Sequence, residues 1–318
     1  MKKLLGLFLL ALAFFAPDQA QAANRFAVCT TTCTWDSTST AMWCATDTGC
    51  TGATAPGSGD AVIFNTNTCV GGTTCTVTVD ATINGATFQS ITAGTCTAST
   101  TGCILDFSVN NPSITLSGTG MNLSGSGTRK YLLGSGTFTF TTTTAGALFD
   151  IGTVTNLDGA STFTAPIVYN ATTAGERQFN GGGRTFGSFT VNANTSRGGV
   201  RIFSANTFSS ISIDDGSSYI MFPASATNTI TGSGGLILTG TSSNQMLVLP
   251  NTPNSGTATI SLSSGTSTPT WAAFMGITTT GAGTMTATDS FNLGRNTLDS
   301  GDTITIPSGG GGGRIIGG

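Results

Sequence analysis

The chain has 318 residues, of which 45 are glycine, only 8% are charged and none is histidine, and its formal net charge is −3. An ordinary soluble domain carries about 25% charged residues, so most titratable side chains from which acid–base sites are built are missing. The lack of imidazole excludes a Ser-His-Asp triad, a mixed Cys/His zinc site and histidine catalysis. An acidic balance with no basic run excludes a nucleic-acid footprint.

Lys2 and Lys3 precede an apolar run from Leu4 to Phe15, followed by Pro17 and the small-residue sequence Ala20, Gln21, Ala22. This is the layout of a secretory signal peptide, and it predicts cleavage between Ala22 and Ala23. An apolar run of about 12 residues is shorter than the roughly 20 that a spanning helix needs. The mature chain is therefore expected outside the cell or on its surface, with no transmembrane segment and no lipid anchor. Residues 1–22 are read as the leader, 23–107 as a cysteine-rich cap with the first coils, 108–307 as the body and 308–318 as a glycine-rich flexible tail.

All eight cysteines lie early in the chain, at Cys29, Cys33, Cys44, Cys50, Cys69, Cys75, Cys96 and Cys103. None of the intervals is C-x-x-C, and an even number in an exported chain reads as disulfides. Four neighbouring pairs suggest sequential bridges, one choice among on the order of a hundred pairings. Such short closed loops would pin turns at one end more than they would stabilise the whole molecule.

Beyond Cys103 the texture changes to short alternations, such as Ser113-Ile114-Thr115-Leu116, Thr137-Phe138-Thr139-Phe140, Ile211-Ser212-Ile213, Leu236-Ile237-Leu238 and Thr303-Ile304-Thr305-Ile306. Period-two patterns of β-branched and aromatic residues mean strands with one buried face. The chain holds one Glu, Glu176, and one Lys beyond the leader, Lys130, and glycine with β-branched residues opposes helix throughout. Short strands, few Asn-Gly or Asp-Gly hairpin signals and an unbroken texture favour an all-β, right-handed parallel β-helix with a disulfide-rich N-terminal cap. A multi-sheet β-sandwich is the alternative. At about 25 residues per coil and about 4.8 Å between strands, the rod would be some 40 Å long.

Trp35-Asp36-Ser37, Pro56-Gly57-Ser58-Gly59-Asp60-Ala61-Val62-Ile63-Phe64 and Thr76-Val77-Thr78-Val79-Asp80 resemble the opening unit of secreted and viral β-helical repeat proteins. Ile220-Met221-Phe222, Leu238-Thr239-Gly240-Thr241-Ser242, Ala258-Thr259-Ile260-Ser261-Leu262 and Asp289-Ser290-Phe291-Asn292-Leu293-Gly294 are similar to the closing part of the same loose group. The resemblance implies a β-helical exterior protein of a cell or virus particle, and it supplies no catalytic residues.

Asp214 and Asp215 are the adjacent carboxylates that glycoside hydrolysis would use, but in a regular strand they point to opposite faces, and Gly216 makes an Asp-Gly turn the plainer reading. Asp299 and Asp302 could offer oxygens to calcium, though the segment reads as a turn, so no metal and no cofactor are expected. Glu176, Arg177 and Arg184 surround Gly181 to Gly183, which lack the following helix of an anion cradle. Thr76/Thr78 and Thr137/Thr139/Thr141 have the local form of ice-binding threonine rows, which work only if the same pair recurs in register on successive coils. Trp35, Trp43 and Trp271 could stack on sugars if exposed, though an isolated tryptophan more often packs in a core or a cap, and Ile315 and Ile316 of the tail could dock as an edge strand on another subunit. The expected function is that of a non-catalytic structural or adhesive surface protein, binding an extracellular glycan or protein or assembling with itself. A phage tail fibre or surface decoration is the alternative, and a polysaccharide-degrading enzyme the lesser one.

Overall fold

The computed structural model describes residues 22–47, 52–65, 68–69, 74–94, 102–142, 145–152, 157–170, 175–192, 198–214 and 218–307. The leader up to residue 21, Cys50, Cys96, Asp215 and the tail with Ile315 and Ile316 lie outside them. The chain winds as a parallel β-helix whose coils have three faces, so the sandwich alternative falls. The one helical element among the described residues is a single 3₁₀ turn, Ala81–Ile83, which Asp80 caps by accepting from the Thr82 amide.

The central coils show the path. Arg177–Asn180 lies on the first face, Thr185 and Phe186 on the second and Phe189–Val191 on the third, and Gly199–Phe203 returns to the first. The first face holds eleven strands among the described residues, from Asn24–Ala27 to Phe291–Asn292. At about 4.8 Å per strand this makes the rod roughly 50 Å long, longer than the sequence estimate.

Some strands do not stop at the corners. Thr87–Ala93, Ile114–Asn122, Thr185–Val191 and Thr207–Ile213 each belong to two faces, which is why much of the molecule forms one continuous 20-stranded sheet. The inward-outward alternation slips at such a corner. In Thr207–Ile213, Phe208, Ile211 and Ile213 point inward while Ser209 and Ser210 both remain outside. In Thr185–Val191 the bend sits at Gly187, where a β-carbon would lie 2.3 Å from the Thr164 carbonyl oxygen. Residue count per coil also varies: bonds to the next coil span 18 residues between Ala272 and Ser290 but 31 between Leu236 and Ser267.

The interior is a column of apolar side chains stacked coil upon coil. At mid-length it is aromatic: Phe179 stacks on Phe149 at 5.1 Å and meets Phe186 at 4.9 Å, Phe189 at 5.1 Å and Phe208 at 5.5 Å. Such pairs add to the burial of their large apolar area. Towards the C-terminal end the column becomes aliphatic, with Ile260, Leu262, Ile277 and Met285 all buried.

The N-terminal end is closed. Trp43–Cys44 runs antiparallel to Asn24–Ala27, against the parallel sense of the other strand pairs. Trp35 and Trp43 are fully buried over the first coil, 5.5 Å apart, with Phe64 and Phe88 within 6 Å of Trp35. Neither indole is available to stack on a sugar, because each fills the open end of the core. Disulfides join Cys29 to Cys33 and Cys69 to Cys75, and Cys44 and Cys103 are also disulfide-bonded. Cys29 pairs with Cys69 across adjacent coils, so both bridges staple the same corner. At the other end, Phe291, Leu298 and Ile304 are only partly covered.

Candidate functional surface

The described carboxylates singled out from the sequence lie on separate elements, Asp214 after one strand and Asp299 with Asp302 in a turn near the C-terminal end. Asp214 ends the strand Thr207–Ile213, exposed, with its amide donating to the Val191 carbonyl, and Asp215 lies outside the described residues. Asp299 and Asp302 form a turn: the Asp302 amide donates to the Asp299 carbonyl, and Asp299 accepts from the Ser300 amide. Asp302 Oδ1 accepts from the Met285 amide at 2.6 Å, which ties the turn to the preceding coil. No group of three or more metal-ligating side chains occurs among the described residues.

Glu176 and Arg177, neighbours in sequence, are separated by the wall of the solenoid. Arg177 points inward, 2% exposed, and packs against Gly198, where a β-carbon would lie 2.3 Å from its guanidinium. Arg129 is buried in the same manner, donating to the Ser126 carbonyl and the Tyr131 hydroxyl. These arginines close corners from within. The acceptors of Arg129 lie only two and three residues away, but that both side chains turn inward is decided by the folded coil and not by the sequence pattern. The triple glycine belongs to another corner, where the Gly183 amide donates to the buried Asn206 side chain and the Asn206 amide donates to Asn228 on the next coil.

Glu176 faces outward into a polar cluster spanning three coils. Its Oε2 pairs with Arg201 at 2.9 Å and accepts from the Tyr219 hydroxyl at 3.1 Å, while Oε1 accepts from Gln178 at 3.0 Å. Arg201 also lies over the Phe203 ring. Burial pushes the Tyr219 phenol above its ordinary range, and the charge of Glu176 and the hydrogen bond to it raise it further. The cluster holds one carboxylate, already neutralised by an arginine, where glycoside hydrolysis needs a pair. It acts as a clasp between coils, and as a half-exposed ion pair it contributes at most about 1 kcal/mol. Glu176→Gln is expected to move the ionisation of Tyr219 to lower pH in an ultraviolet tyrosine titration, with the buried Tyr131 and Tyr169 as internal references. An unchanged titration would break the assignment of the clasp.

The threonine pairs noted in the sequence run for two or three coils and then stop. Thr32/Thr34 lie against Thr76/Thr78, but the next coils place Ile104/Asp106 and then Lys130/Leu132 at those positions. On the third face Thr87, Thr115 and Thr139 form a column that Val168 ends. An extended array forms elsewhere, on the C-terminal half of the second face. One column there runs Thr185, Thr207, Thr229, Ser261, Thr280, and beside it a second runs Thr227, Thr259, Thr278, Thr297. Around the corner, on the third face, Thr239, Thr270 and Thr288 align, as do Thr266 with Thr284 and Thr286 with Thr303. The outward members of these rows alternate with buried Asn228, Ile230, Ile260, Thr279 and Met285.

No helix of the described residues is long and apolar enough to cross a membrane. Comparison with protein-family models, curated proteins and solved structures finds no match for this chain.

Proposed function

We propose that this protein is an exported, non-catalytic β-solenoid that serves as a structural or adhesive component of a cell surface or extracellular matrix. The observation that carries this reading is the construction of the N-terminal end. The first strand begins at Asn24, directly after the Ala22–Ala23 junction, and the bridged cysteines that follow suit an oxidising compartment. The Ala23 nitrogen donates to Asp60 Oδ1 at 2.9 Å, and Arg25 and the Gly57 amide reach the other oxygen at 3.1 and 2.9 Å. Asp60 is 8% exposed. Burial pushes its carboxyl up, but hydrogen bonds from Gly57, Ala23 and Arg25 outweigh that and hold it below the usual carboxylate range. Cleavage after Ala22 would turn the Ala23 amide into an α-ammonium facing this carboxylate, making the hydrogen bond charge-assisted at both partners. The leader would thus leave behind an end that fits its socket.

The test is to express the full chain with its own leader in a secreting host, sequence the N-terminus of the product and locate it by immunogold microscopy. The expected result is a product starting at Ala23, without free thiols, labelling cells or extracellular fibres. A product retaining its leader inside the cell, or label confined to virus particles, would overturn the reading.

A further inference from the structure

The threonine columns of the second face serve neither the core nor the clasp. Strand propensity explains why threonine is common on solvent-facing positions, but it does not explain register. The N-terminal coils of the same face show what propensity alone produces, a row that runs for two coils and then gives way to isoleucine, aspartate and lysine. Between Thr207 and Thr297 every paired outward position of the two columns is threonine or serine, and none is charged or aromatic. No register shift interrupts these pairings.

The array therefore has two repeats. Along a strand, alternate residues such as Thr278 and Thr280 lie about 6.7 Å apart, and along the axis successive coils lie about 4.8 Å apart. The hydroxyls of Thr227, Thr229, Thr259, Thr278 and Thr280 make no side-chain hydrogen bond among the described residues. On the third face, by contrast, the Thr266 and Thr284 hydroxyls bond to each other at 3.0 Å. Each free hydroxyl stands beside a methyl group on a β-branched side chain that is stiff about χ1, on a backbone held by parallel ladders. Such a surface loses little conformational entropy when a ligand orders on it.

The chemistry of the ligand follows from what the array has and lacks. A dissolved sugar or peptide needs only a few contacts, and the charged groups or aromatic platforms that give those contacts strength are absent. A grid of hydroxyls, with a methyl beside each except at Ser261, that is two columns wide on three coils and continues by one threonine at each end matches a ligand that is itself periodic in two directions, takes hydrogen bonds from neutral hydroxyls and leaves small voids that methyls fill. The oxygen lattice on the prism face of ice has two repeats close to those of the array. We infer that the second face between Thr207 and Thr297 adsorbs to ice, the hydroxyls anchoring lattice waters and the methyls holding further waters in the troughs between columns. The inference rests on the exported reading above, since ice forms outside the cell, but its test uses purified protein, so either can fail without the other.

The experiment grows ice slowly from a solution of the mature protein, measures the fraction incorporated and records crystal shape and the gap between melting and freezing. The wild type is expected to enter the ice and to facet the crystals. Thr278→Tyr, which raises a ring above the centre of the array, should lower incorporation several-fold. Thr139→Tyr on the third face should leave it unchanged, and circular dichroism should show both variants folded. Should Thr278→Tyr fail to fold, Thr278→Val, which keeps shape and strand propensity, takes its place and should still reduce incorporation. The inference is overturned if the wild type is excluded from ice like an inert protein of its size, if the folded central variant matches it, or if Thr139→Tyr lowers incorporation as much. Adsorption to crystalline cellulose or chitin without adsorption to ice would overturn it as well.

Discussion

Trp35→Ala is expected to lower the free energy of unfolding by about 3 to 5 kcal/mol, the usual range for deleting a fully buried indole. Its ring lies among Trp43, Phe64, Phe88 and Phe107, so it joins the cap to three coils at once. In a solenoid each coil is stabilised chiefly by its neighbours, and an end without its cap frays inward. Urea unfolding should register the loss, and limited proteolysis should cut the N-terminal coils of the variant before the central ones. The exposed neighbour Thr34 is the control, and Thr34→Ala should move the midpoint little. A loss below about 1 kcal/mol for Trp35→Ala would mean that the cap does not hold the end of the rod.

Gly120→Ala should be nearly as damaging, for a different reason. Gly120 turns the strand Ile114–Asn122 from the third face to the first with a φ of 86°, and a β-carbon there would lie 2.2 Å from the Leu148 carbonyl oxygen of the next coil. The left-handed backbone costs an L-residue about 1 to 2 kcal/mol. The clash adds about 1 to 3 kcal/mol, because the atom it meets belongs to the ladder and cannot rotate away. Gly59 separates the two contributions, having nearly the same φ, 87°, and nothing within 4 Å of a β-carbon. Gly59→Ala should show the backbone cost alone. Equal losses at both sites, measured by thermal unfolding, would remove close coil packing at Gly120 as the cause.

The alternations that were readable in the chain mark real strands: Phe138–Phe140 and the end of Thr207–Ile213 place their apolar residues inward, and Leu236–Leu238 buries both leucines while Ile237 faces outward. Period two survives in sequence because a strand's side chains alternate whatever lies beside them. The corners were not readable. Ser209-Ser210 and Gly187 look like interruptions between strands, yet each is a bend within one strand, because a tight corner needs a local slip in alternation and not a break in pairing. Nothing around Arg177 in the sequence shows that it is an interior corner residue, and the cap packing that is the commoner fate of an isolated tryptophan is what Trp35 and Trp43 adopt, at a place the sequence does not specify. In each case the deciding partner lies a coil away, beyond the reach of a local pattern.

What the sequence by itself determined is the material of the molecule. Few charges, no histidine, dense threonine and glycine and short alternating runs admit a β-solenoid, and cysteines confined to the first third place the staples at one end. What only the tertiary structure decided is which outward residues become neighbours. Thr227, Thr259, Thr278 and Thr297 are unevenly spaced along the chain, because corner loops of unequal length separate them. No repeat period announces that they form one column. Coil closure absorbs the unequal loops at the corners, while the ladder hydrogen bonds, which recur at a fixed spacing, hold the flat segments in register.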